Sequence, residues 1–386
     1  MKVHSDVLVL GAGAAGLMCA IEAGKRGRTV TVLERSNRAG QKILISGGGR
    51  CNFTNTGATA ANYLSANPHF AKSAMARYQP SDFLALAARH RIAWHEKKLG
   101  QLFCDRGAQD VLNMLEAECV AANVRVRLSI DVQEVRRADR FTVLAREHEF
   151  TSDSLVVATG GLSIPKMGAT AFGYELARQF GLAVVEPRPA LVAFTLADED
   201  ARRFCDLSGV SCEVEASVGK QKFREKLLIT HRGFSGPAIL QISSYWQPGE
   251  KIVLDWAPGR EVFSSLVSGR RDHSAALAAL HHVLPARLAE RWLALHPFAR
   301  WTNAVLEEAE RKLHCFEFIP SGTEGFAKAE VTSGGVDTRE LSARTMEASR
   351  VPGLYFVGEV VDVTGQLGGY NFQWAWASGF SAGQAV

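Results

Sequence analysis

The chain opens with a strand, a glycine-rich turn and a helix, and this segment limits the fold more than any other. The apolar run 7–10 predicts a buried parallel strand, which stops at Gly11. Gly-x-Gly-x-x-Gly spacing follows, and a helix of small residues continues from it. A strand before and a helix after these glycines are the context that a dinucleotide-binding turn requires. We therefore expect a pyrophosphate to lie against this turn, with contacts from Gly11, Gly13, Ala14, Ala15 and Gly16.

A carboxylate stands where such a fold needs one for a ribose. The next predicted strand, 28–33, ends at Glu34, which lies 18 residues after Gly16. An acid at about this distance accepts hydrogen bonds from the ribose of a bound dinucleotide. A glycine-rich turn without a nucleotide is the alternative, and Glu34 argues against it. Arg35 and Val132 are further candidate contacts of the cofactor.

Composition limits the class of protein. The 386 residues suffice for two or three domains, and 22% charged residues with a net charge of +4 are ordinary for a globular protein. The seven cysteines are odd in number and contain no Cys-x-x-Cys pair, so we expect no disulfide framework, no metal site and a reducing, cytoplasmic location. The apolar stretch 7–21 is too short to span a bilayer and starts too early for a signal peptide, so no membrane partner is expected.

A second glycine-rich segment, 46–52, follows the ribose strand. Its sequence, Ser-Gly-Gly-Gly-Arg-Cys-Asn, does not predict an ordinary helix or strand. Glycines here would let the backbone lie against a flat ligand or a second phosphate. A flexible surface loop is the alternative, but it contains Cys51, a residue type that is usually buried. The candidate cofactor contacts in this region are Gln41, Lys42, Ser46, Gly47, Gly49, Arg50, Cys51 and Asn52.

Two later strands also run into glycines, at 154–161 and at 353–358. Three such ends in a parallel sheet favour FAD, a long cofactor held along its whole length, over a nicotinamide dinucleotide alone. Asp362 would contact the ribityl chain, and a helix predicted over 374–379 would present its first amides to the flavin. No second Gly-x-Gly-x-x-Gly follows a strand in 100–386, so NAD(P)H would approach the flavin directly. The candidate contacts are Thr159, Gly160, Gly161, Gly358, Glu359, Asp362, Gly368, Gly369, Tyr370, Asn371, Phe372 and Gln373.

The pattern predicts an α/β protein of three parts. Residues 1–191 and 335–386 form a Rossmann-like FAD-binding domain. Short alternating stretches over 192–258 and 316–334 predict a β-barrel-like substrate module. Residues 259–315, rich in Ala, Leu and Arg, predict a small helical subdomain inserted into that module.

Several motifs together resemble the bacterial BaiN/RdsA family of FAD-dependent oxidoreductases, over essentially the whole chain. They lie at 11–16, 40–43, 46–52, 158–161, 230–237 and 368–373. The resemblance implies bound FAD and the three-part architecture. The stretches 63–70, 92–97, 99–105 and 241–249 are similar to the RdsA branch, which is associated with making dihydrouridine in large-subunit (23S) ribosomal RNA. That similarity implies 23S ribosomal RNA, or a large-subunit assembly intermediate, as the partner.

The family contains other chemistries, and two alternatives stay open. Some members resemble bile-acid-pathway reductases, which act on an enone, or aminoacetone-type amine oxidases, so a small-molecule substrate is the first alternative. A non-catalytic flavin-binding partner of RNA or of the ribosome is the second.

Uridine reduction needs a hydride at C6, which reduced flavin can supply, and a proton at C5 from a general acid. Cys104 is the first candidate acid, because a thiol is mostly protonated at pH 7 and many relatives have Phe-Pro where this chain has Phe-Cys. A buried packing cysteine is the alternative. Cys51 is the second candidate, although Arg50 beside it would favour the thiolate. His231 is the third, as an acid or a substrate contact, with stabilisation of its turn as the alternative.

An RNA substrate would also need a basic approach surface and an extruded base. Arginines recur at 136–140, 270–271 and 287–300, and Trp292 and Trp301 stand among the last group. The plainer interpretation of these stretches is a solvated helical face with aromatic core contacts.

Overall fold

The computed structural model describes residues 2–146 and 148–386. They form two compact units: the first runs to Arg188 and resumes over Val331–Val386, and the second is Pro189–Glu330. The sequence placed these changes of domain at 191/192 and 334/335. The helices expected as a separate subdomain over 259–315 lie in the second unit and share its hydrophobic core.

The strands of the described residues, in chain order, are β1 (Lys2–Leu10), β2 (Val30–Leu33), β3 (Asn52–Asn55), β4 (Tyr63–Leu64), β5 (Trp94–Glu96), β6 (Gln101–Cys104), β7 (Arg125–Arg127), β8 (Glu134–Arg137), β9 (Phe141–Ala145), β10 (His148–Val157), β11 (Val184–Ala190), β12 (Phe194–Thr195), β13 (Ser211–Val218), β14 (Gln221–Ile229), β15 (Gly233–Ser235), β16 (Ile252–Asp255), β17 (Phe316–Phe318), β18 (Gly322–Thr323), β19 (Val331–Val336), β20 (Leu354–Phe356) and β21 (Thr364–Gly365).

The helices of the same residues are α1 (Ala14–Lys25), α2 (Gln41–Gly49), α3 (Ala71–Arg77), α4 (Pro80–Arg89), α5 (Ala108–Ala121), α6 (Phe172–Gln179), α7 (Asp198–Phe204), α8 (Pro237–Ser243), α9 (Ser264–Ser268), α10 (His273–His281), α11 (Ala286–Leu295), α12 (Asn303–His314) and α13 (Tyr370–Gly383).

The first unit is built on a seven-stranded sheet of order β7-β2-β1-β10-β9-β8, with β20 paired to β10. Its five parallel strands end in register. Leu10 pairs with Leu33 on one side and with Val157 on the other, and Val157 pairs with Phe356. β7 ends beside Leu33. The loops that follow β1, β2, β10 and β20 therefore leave from one edge of the sheet, which is where Rossmann-type folds bind their ligands.

The last helix is longer than the sequence predicted. α13 begins at Tyr370 and ends at Gly383, whereas the expected range was 374–379. The helix continues past Gly379, because this glycine and Gly383 lie against α1. A Cβ at Gly379 would collide with the carbonyl oxygen of Ala15, and a Cβ at Gly383 would lie 2.6 Å from Cβ of Glu22. The small residues thus allow two helices of the core to pack closely.

The glycine-rich segment after β2 is a helix that loses its regular backbone. α2 leaves helical φ/ψ at Ser46, and Gly47 and Gly48 are left-handed (φ +58° and +68°). β3 follows directly and forms a three-stranded sheet of order β3-β6-β5. Within this sheet, β5 and β6 are consecutive antiparallel strands and form a hairpin.

The second unit contains a seven-stranded sheet of order β17-β16-β13-β14-β15-β12-β18. Neighbouring strands are antiparallel, as the register of β13 with β14 and of β16 with β17 illustrates. α9 to α12 lie between β16 and β17 in the chain, and Leu280, Leu288 and Trp292 are among their core residues. In the described part of the chain, no helix combines the length and the apolar character needed to cross a bilayer.

Candidate cofactor site at the carboxyl edge of the main sheet

The turn after β1 is closed on two sides and open on the third. Gly11 has φ +107°, and a Cβ there would lie 2.5 Å from the carbonyl oxygen of Ala158. A Cβ at Gly16 would collide with the carbonyl oxygen of Gly11. At Gly13, by contrast, a Cβ would meet no protein atom within 4 Å. The open side lies at the N-terminus of α1, whose first amides have no partner inside the helix, so it is a cradle suited to a phosphate.

Glu34 is held beside this turn by backbone amides. Its Oε2 accepts a hydrogen bond from the Ala12 amide and its Oε1 accepts one from the Ser36 amide, each at 2.8 Å. Arg35 forms an exposed ion pair with Asp131, 3.5 Å between Nε and Oδ1. The residue after Asp131 is the partly buried Val132. The structure therefore gathers Glu34, Arg35 and Val132 at the ends of β2 and β7.

Lys42 and Glu359 join two loops that the sequence predicted separately. Lys42 Nζ donates to Glu359 Oε2 at 2.7 Å and to the hydroxyl of Ser163 at 2.5 Å. The other carboxylate oxygen of Glu359 accepts from the Ser163 hydroxyl and from the Thr332 amide. The Thr332 hydroxyl in turn accepts from the Leu162 amide at 2.8 Å. Sequence reasoning missed Ser163 and Thr332, because neither belongs to a glycine motif.

The loop after β10 offers an unpaired polar atom. The Thr159 hydroxyl is buried and has no hydrogen-bond partner among the described residues. Such a group costs about 1–3 kcal/mol when it stays unsatisfied. At Gly160 a Cβ would meet no protein atom within 4 Å, while at Gly161 it would lie 2.7 Å from Oε1 of Glu359. This loop therefore presents an open backbone at Gly160, and Gly161 lies beside the Lys42–Glu359 pair, whereas the Thr159 hydroxyl lies against Gly173.

The loop before α13 is fixed by two asparagines. Asn371 accepts from the Gly365 amide at 2.8 Å and donates to the Gly365 carbonyl at 2.9 Å. The neighbouring groups orient the Asn52 amide so that it donates to the Leu102 carbonyl and accepts from the Gly369 amide. Asn52 thus ties the segment after the glycines of α2 to the start of α13. Gly368 also lies against this small sheet, because a Cβ there would be 2.8 Å from the Gln101 side-chain nitrogen.

Several candidates in this region turn their side chains towards the protein. Gln373 is fully buried; its Oε1 accepts from the Thr54 hydroxyl and its Nε2 donates to the Tyr78 carbonyl. Asp362 is 4% exposed and accepts from the Ala66 amide at 2.9 Å. Burial raises the pKa of this carboxyl. The ring of Phe372 stacks on Trp376 within α13. The predicted contact of Asp362 with a ribityl chain stays a prediction, and its observed partner is the backbone.

The two cysteines chosen as acids lie in the protein interior. Cys51 and Cys104 are both fully buried, and the Cys104 amide donates to the Arg50 carbonyl at 2.9 Å. Burial raises the pKa of each thiol to about 12. The expectation that Arg50 favours a Cys51 thiolate is therefore wrong, because desolvation dominates and Arg50 itself is exposed. The thiols are protonated but have no exposed surface, so their surroundings do not support proton donation to a substrate.

His231 belongs to the second unit, whereas the other candidates belong to the first. It is exposed beside a cavity of about 430 Å³ that Arg232, Glu324 and Lys328 also line. Its turn is held by Thr230, whose hydroxyl accepts from the amides of Arg232 and Gly233. Thr230 thus supplies the side-chain hydrogen bonds of this turn. In the described part of the chain, no hydrogen bond of the His231 side chain supports the alternative of a turn-stabilising histidine.

Four of the eight arginines in the arginine-rich stretches form ion pairs with acids. Arg136 pairs with Glu134, Arg140 with Asp153 and Arg270 with Asp272. Arg291 pairs with Asp206, and the Arg287 guanidinium donates to the carbonyl of the same Asp206. Trp292 is buried in the core of the second unit. The plainer interpretation, a solvated face over aromatic core contacts, fits these stretches.

The site as a whole suits an extended dinucleotide. The cradle at Gly13, the amides at the start of α1 and the carboxylate of Glu34 match a pyrophosphate and a ribose. The open backbone at Gly160 lies farther along the same edge. The left-handed glycines of α2 and the start of α13 form a further part of the candidate cofactor site. These residues fit FAD along its length.

The whole chain matches known proteins. The family model described as "HI0933-like protein Rossmann domain" matches residues 5–385. A ribosomal RNA dihydrouridine synthase of Haemophilus influenzae is 45% identical, with 100% of this chain and 99% of the relative covered. The protein of the same name from Escherichia coli K12 is 48% identical, with 98% and 97% covered. A 3-dehydro-bile acid delta(4,6)-reductase of Clostridium scindens is 30% identical, with 98% of both chains covered.

These matches confirm the predicted membership of a family of Rossmann-fold flavoprotein oxidoreductases. They also confirm that the chain is more similar to the ribosomal RNA branch of that family. The chain therefore belongs to the HI0933-like Rossmann family.

Proposed function

We propose that this protein is an FAD-dependent oxidoreductase that reduces the C5=C6 bond of a uridine in 23S ribosomal RNA to dihydrouridine, with NAD(P)H as the electron donor. The single observation that carries the proposal is identity of 45% and 48%, over nearly the full length, to two proteins named for this reaction. An RNA substrate of this kind implies a cytoplasmic location, which is part of the proposal.

The edge of the main sheet supports the cofactor assignment. The amides at the start of α1 would hold the pyrophosphate in the space that Gly13 leaves open, and Glu34 would accept hydrogen bonds from the adenosine ribose. The segment from Gly47 to Arg50 and the loop around Gly369 would hold the isoalloxazine ring. When bound, FAD supplies the hydride, and the protein supplies position, exclusion of water and a proton.

The bile-acid relative supports the same type of chemistry on a different substrate. Its name describes reduction of a C=C bond in a 3-dehydro bile acid. Uridine offers a related target, since its C5=C6 bond is conjugated to the C4 carbonyl. In both cases a hydride adds to the carbon remote from the carbonyl and a proton adds to the neighbouring one. The identity of 30%, against 45% and 48%, favours the RNA substrate.

A reconstituted reaction tests the proposal. The purified protein is expected to be yellow and to lose its flavin absorbance on addition of NADPH or NADH without oxygen. Unmodified 23S ribosomal RNA is then expected to restore the absorbance and to gain dihydrouridine, measured by mass spectrometry of its nucleosides. Flavin that reoxidises with an enone but never with RNA would support the small-molecule alternative. A flavin that neither donor reduces would favour a non-catalytic binder.

A further inference from the structure

The hairpin of β5 and β6 carries an exposed histidine–aspartate pair. Nδ1 of His95 lies 2.6 Å from Oδ1 of Asp105, and the two side chains are 46% and 43% exposed. An ionised carboxylate only accepts hydrogen bonds, so the proton of this bond belongs to Nδ1. Nε2 of His95 has no hydrogen-bond partner in the described part of the chain. The pair therefore presents one free imidazole nitrogen to solvent, with the other held in place.

This pair is tied to the segments that flank the proposed flavin site. His95 pairs across the small sheet with Phe103, and Phe103 pairs with Asn52. Directly paired residues share one face of a sheet, so the three side chains form a row. At one end of the row Asn52 holds the Gly369 amide. In the middle the Phe103 ring lies against Gly47, where a Cβ would approach it to 2.8 Å.

At the other end of the row the His95 ring lies nearly parallel to Phe103, with 6.2 Å between ring centroids and 19° between ring planes. His95 is thus one ring away from a residue that touches the glycine segment. The Lys97 ammonium lies 5.4 Å from the Phe103 ring centroid, which adds a positive charge beside the pair. An anionic RNA strand would be attracted to this surface.

We propose that His95 is the general acid of the reaction and that Asp105 is its positioning residue. The inference rests on the proposed function. As the hydride forms the new bond at C6 of uridine, the electron pair of the C5=C6 bond takes the Nε2 proton of the His95 imidazolium to form the C5–H bond. The reduced flavin is oxidised, the uracil ring is reduced, and neutral His95 regains a proton from solvent. Asp105 fixes the ring through Nδ1 and stabilises the imidazolium.

Exposure distinguishes this pair from the buried thiols. A general acid must come within hydrogen-bond reach of the atom that it protonates, and it must be reprotonated in each turnover. His95 meets the second need because its free nitrogen faces solvent, and the proposal places C5 of the bound uracil within reach of that nitrogen. Cys51 and Cys104 have no exposed surface from which to do either.

The test compares His95→Gln, Asp105→Asn and Asp105→Glu with the wild type, each purified with FAD and reduced before it is mixed with unmodified 23S transcript. His4→Gln is the matched control, since His4 is an exposed histidine bonded to Thr151 near the start of β1, roughly 20 Å along the strand from the carboxyl edge. We expect His95→Gln to slow dihydrouridine formation by about 10²–10⁴-fold, the usual contribution of general acid catalysis. We expect Asp105→Asn to slow it at least tenfold by the same principle, Asp105→Glu to recover part of the rate, and His4→Gln to match the wild type.

Two measurements on the flavin-free protein separate proton transfer from binding. The transcript should bind His95→Gln with an affinity within about threefold of the wild type, since one exposed contact contributes little. The transcript should also protect His95, but not His4, from modification by diethyl pyrocarbonate, read by peptide mass spectrometry.

The outcomes are distinct. Full dihydrouridine formation by His95→Gln, loss of its RNA affinity in parallel with its rate, or unprotected His95 would each overturn the inference while leaving the proposed function intact. A wild-type protein that reduces no uridine would instead remove the proposed function, and the assignment of His95 with it.

Discussion

Lys42 and Glu359 form an ion pair, 2.7 Å between Nζ and Oε2, although 317 residues separate them in the chain. The pair joins the first turn of α2 to the loop after β20. Both side chains are largely shielded from solvent, with 34% and 19% exposed. The sheet brings the two loops to one edge, and this contact, with its bonds to Ser163 and Thr332, ties them to each other there.

Breaking this pair should weaken cofactor binding. Lys42→Met leaves Glu359 without its cation and removes the tie between the two loops. Loss of a shielded charged hydrogen bond costs about 1–3 kcal/mol, or roughly 5–150-fold in affinity. Titration of the flavin-free variant with FAD, followed by flavin fluorescence, measures this effect. Lys251→Met is the control, because Lys251 forms an exposed ion pair with Glu317 in the second unit. Equal affinity of Lys42→Met and the wild type would contradict the role given to the pair.

Two neighbouring glycines should respond differently to the same substitution. Gly13→Ala adds a methyl group where no protein atom lies within 4 Å, so the melting temperature of the flavin-free protein should stay the same and FAD affinity should fall at least tenfold. Gly16→Ala forces a methyl group onto the carbonyl oxygen of Gly11 and should destabilise the flavin-free protein by about 1–3 kcal/mol. Differential scanning fluorimetry with and without FAD separates the two effects. A Gly13→Ala protein that is unstable without FAD would show that the open space is not a ligand site.

The buried thiols should be slow to react. A pKa of about 12 leaves a thiol with on the order of 10³-fold less thiolate than an ordinary cysteine at the same pH. In the folded protein, iodoacetamide should therefore modify the exposed Cys315 long before Cys51 or Cys104, as mass spectrometry of the peptides would record. Cys104→Ala should keep both FAD and dihydrouridine formation. Rapid labelling of Cys104, or loss of activity with FAD retained, would restore it as a candidate acid.

Asp362 should make stability depend on pH. Burial raises its pKa in the folded state above the ordinary 3.8, so the folded protein binds more protons than the unfolded chain in this range. The free energy of unfolding then falls as pH rises from below 3.8 through the raised pKa. Asp362→Asn can still accept the Ala66 amide and removes the charge. Urea unfolding between pH 4 and pH 7 should show the variant gaining stability relative to the wild type as pH rises. A difference that does not change with pH would contradict this.

The sequence predicted the elements whose signals are local. The first turn and the position of Glu34 both follow from spacing within a short stretch, and the structure has α1 at Ala14–Lys25 directly after that turn. The similarity of 46–52 and 368–373 to a family also predicted where the loops of the site lie, because those motifs are specific.

Longer-range features had no such signal. The contact of Lys42 with Glu359 joins residues that no periodicity relates. α13 begins four residues early and continues past Gly379, which packs against α1; this long-range contact is not part of a helix-propensity argument. Burial of Cys104 depends on how β3 and β6 pair. The His95–Asp105 pair depends on the hairpin register, since the two residues stand ten positions apart.

The dihydrouridine content of 23S ribosomal RNA measures the central claim most directly. Ribosomal RNA is isolated from a strain that lacks the gene, from the same strain carrying the wild-type gene, and from one carrying Lys42→Met, and its nucleosides are quantified by mass spectrometry. The account predicts that dihydrouridine in 23S ribosomal RNA falls on deletion, returns with the wild-type gene, and returns only in part with Lys42→Met. An unchanged dihydrouridine content in the deletion strain would contradict it.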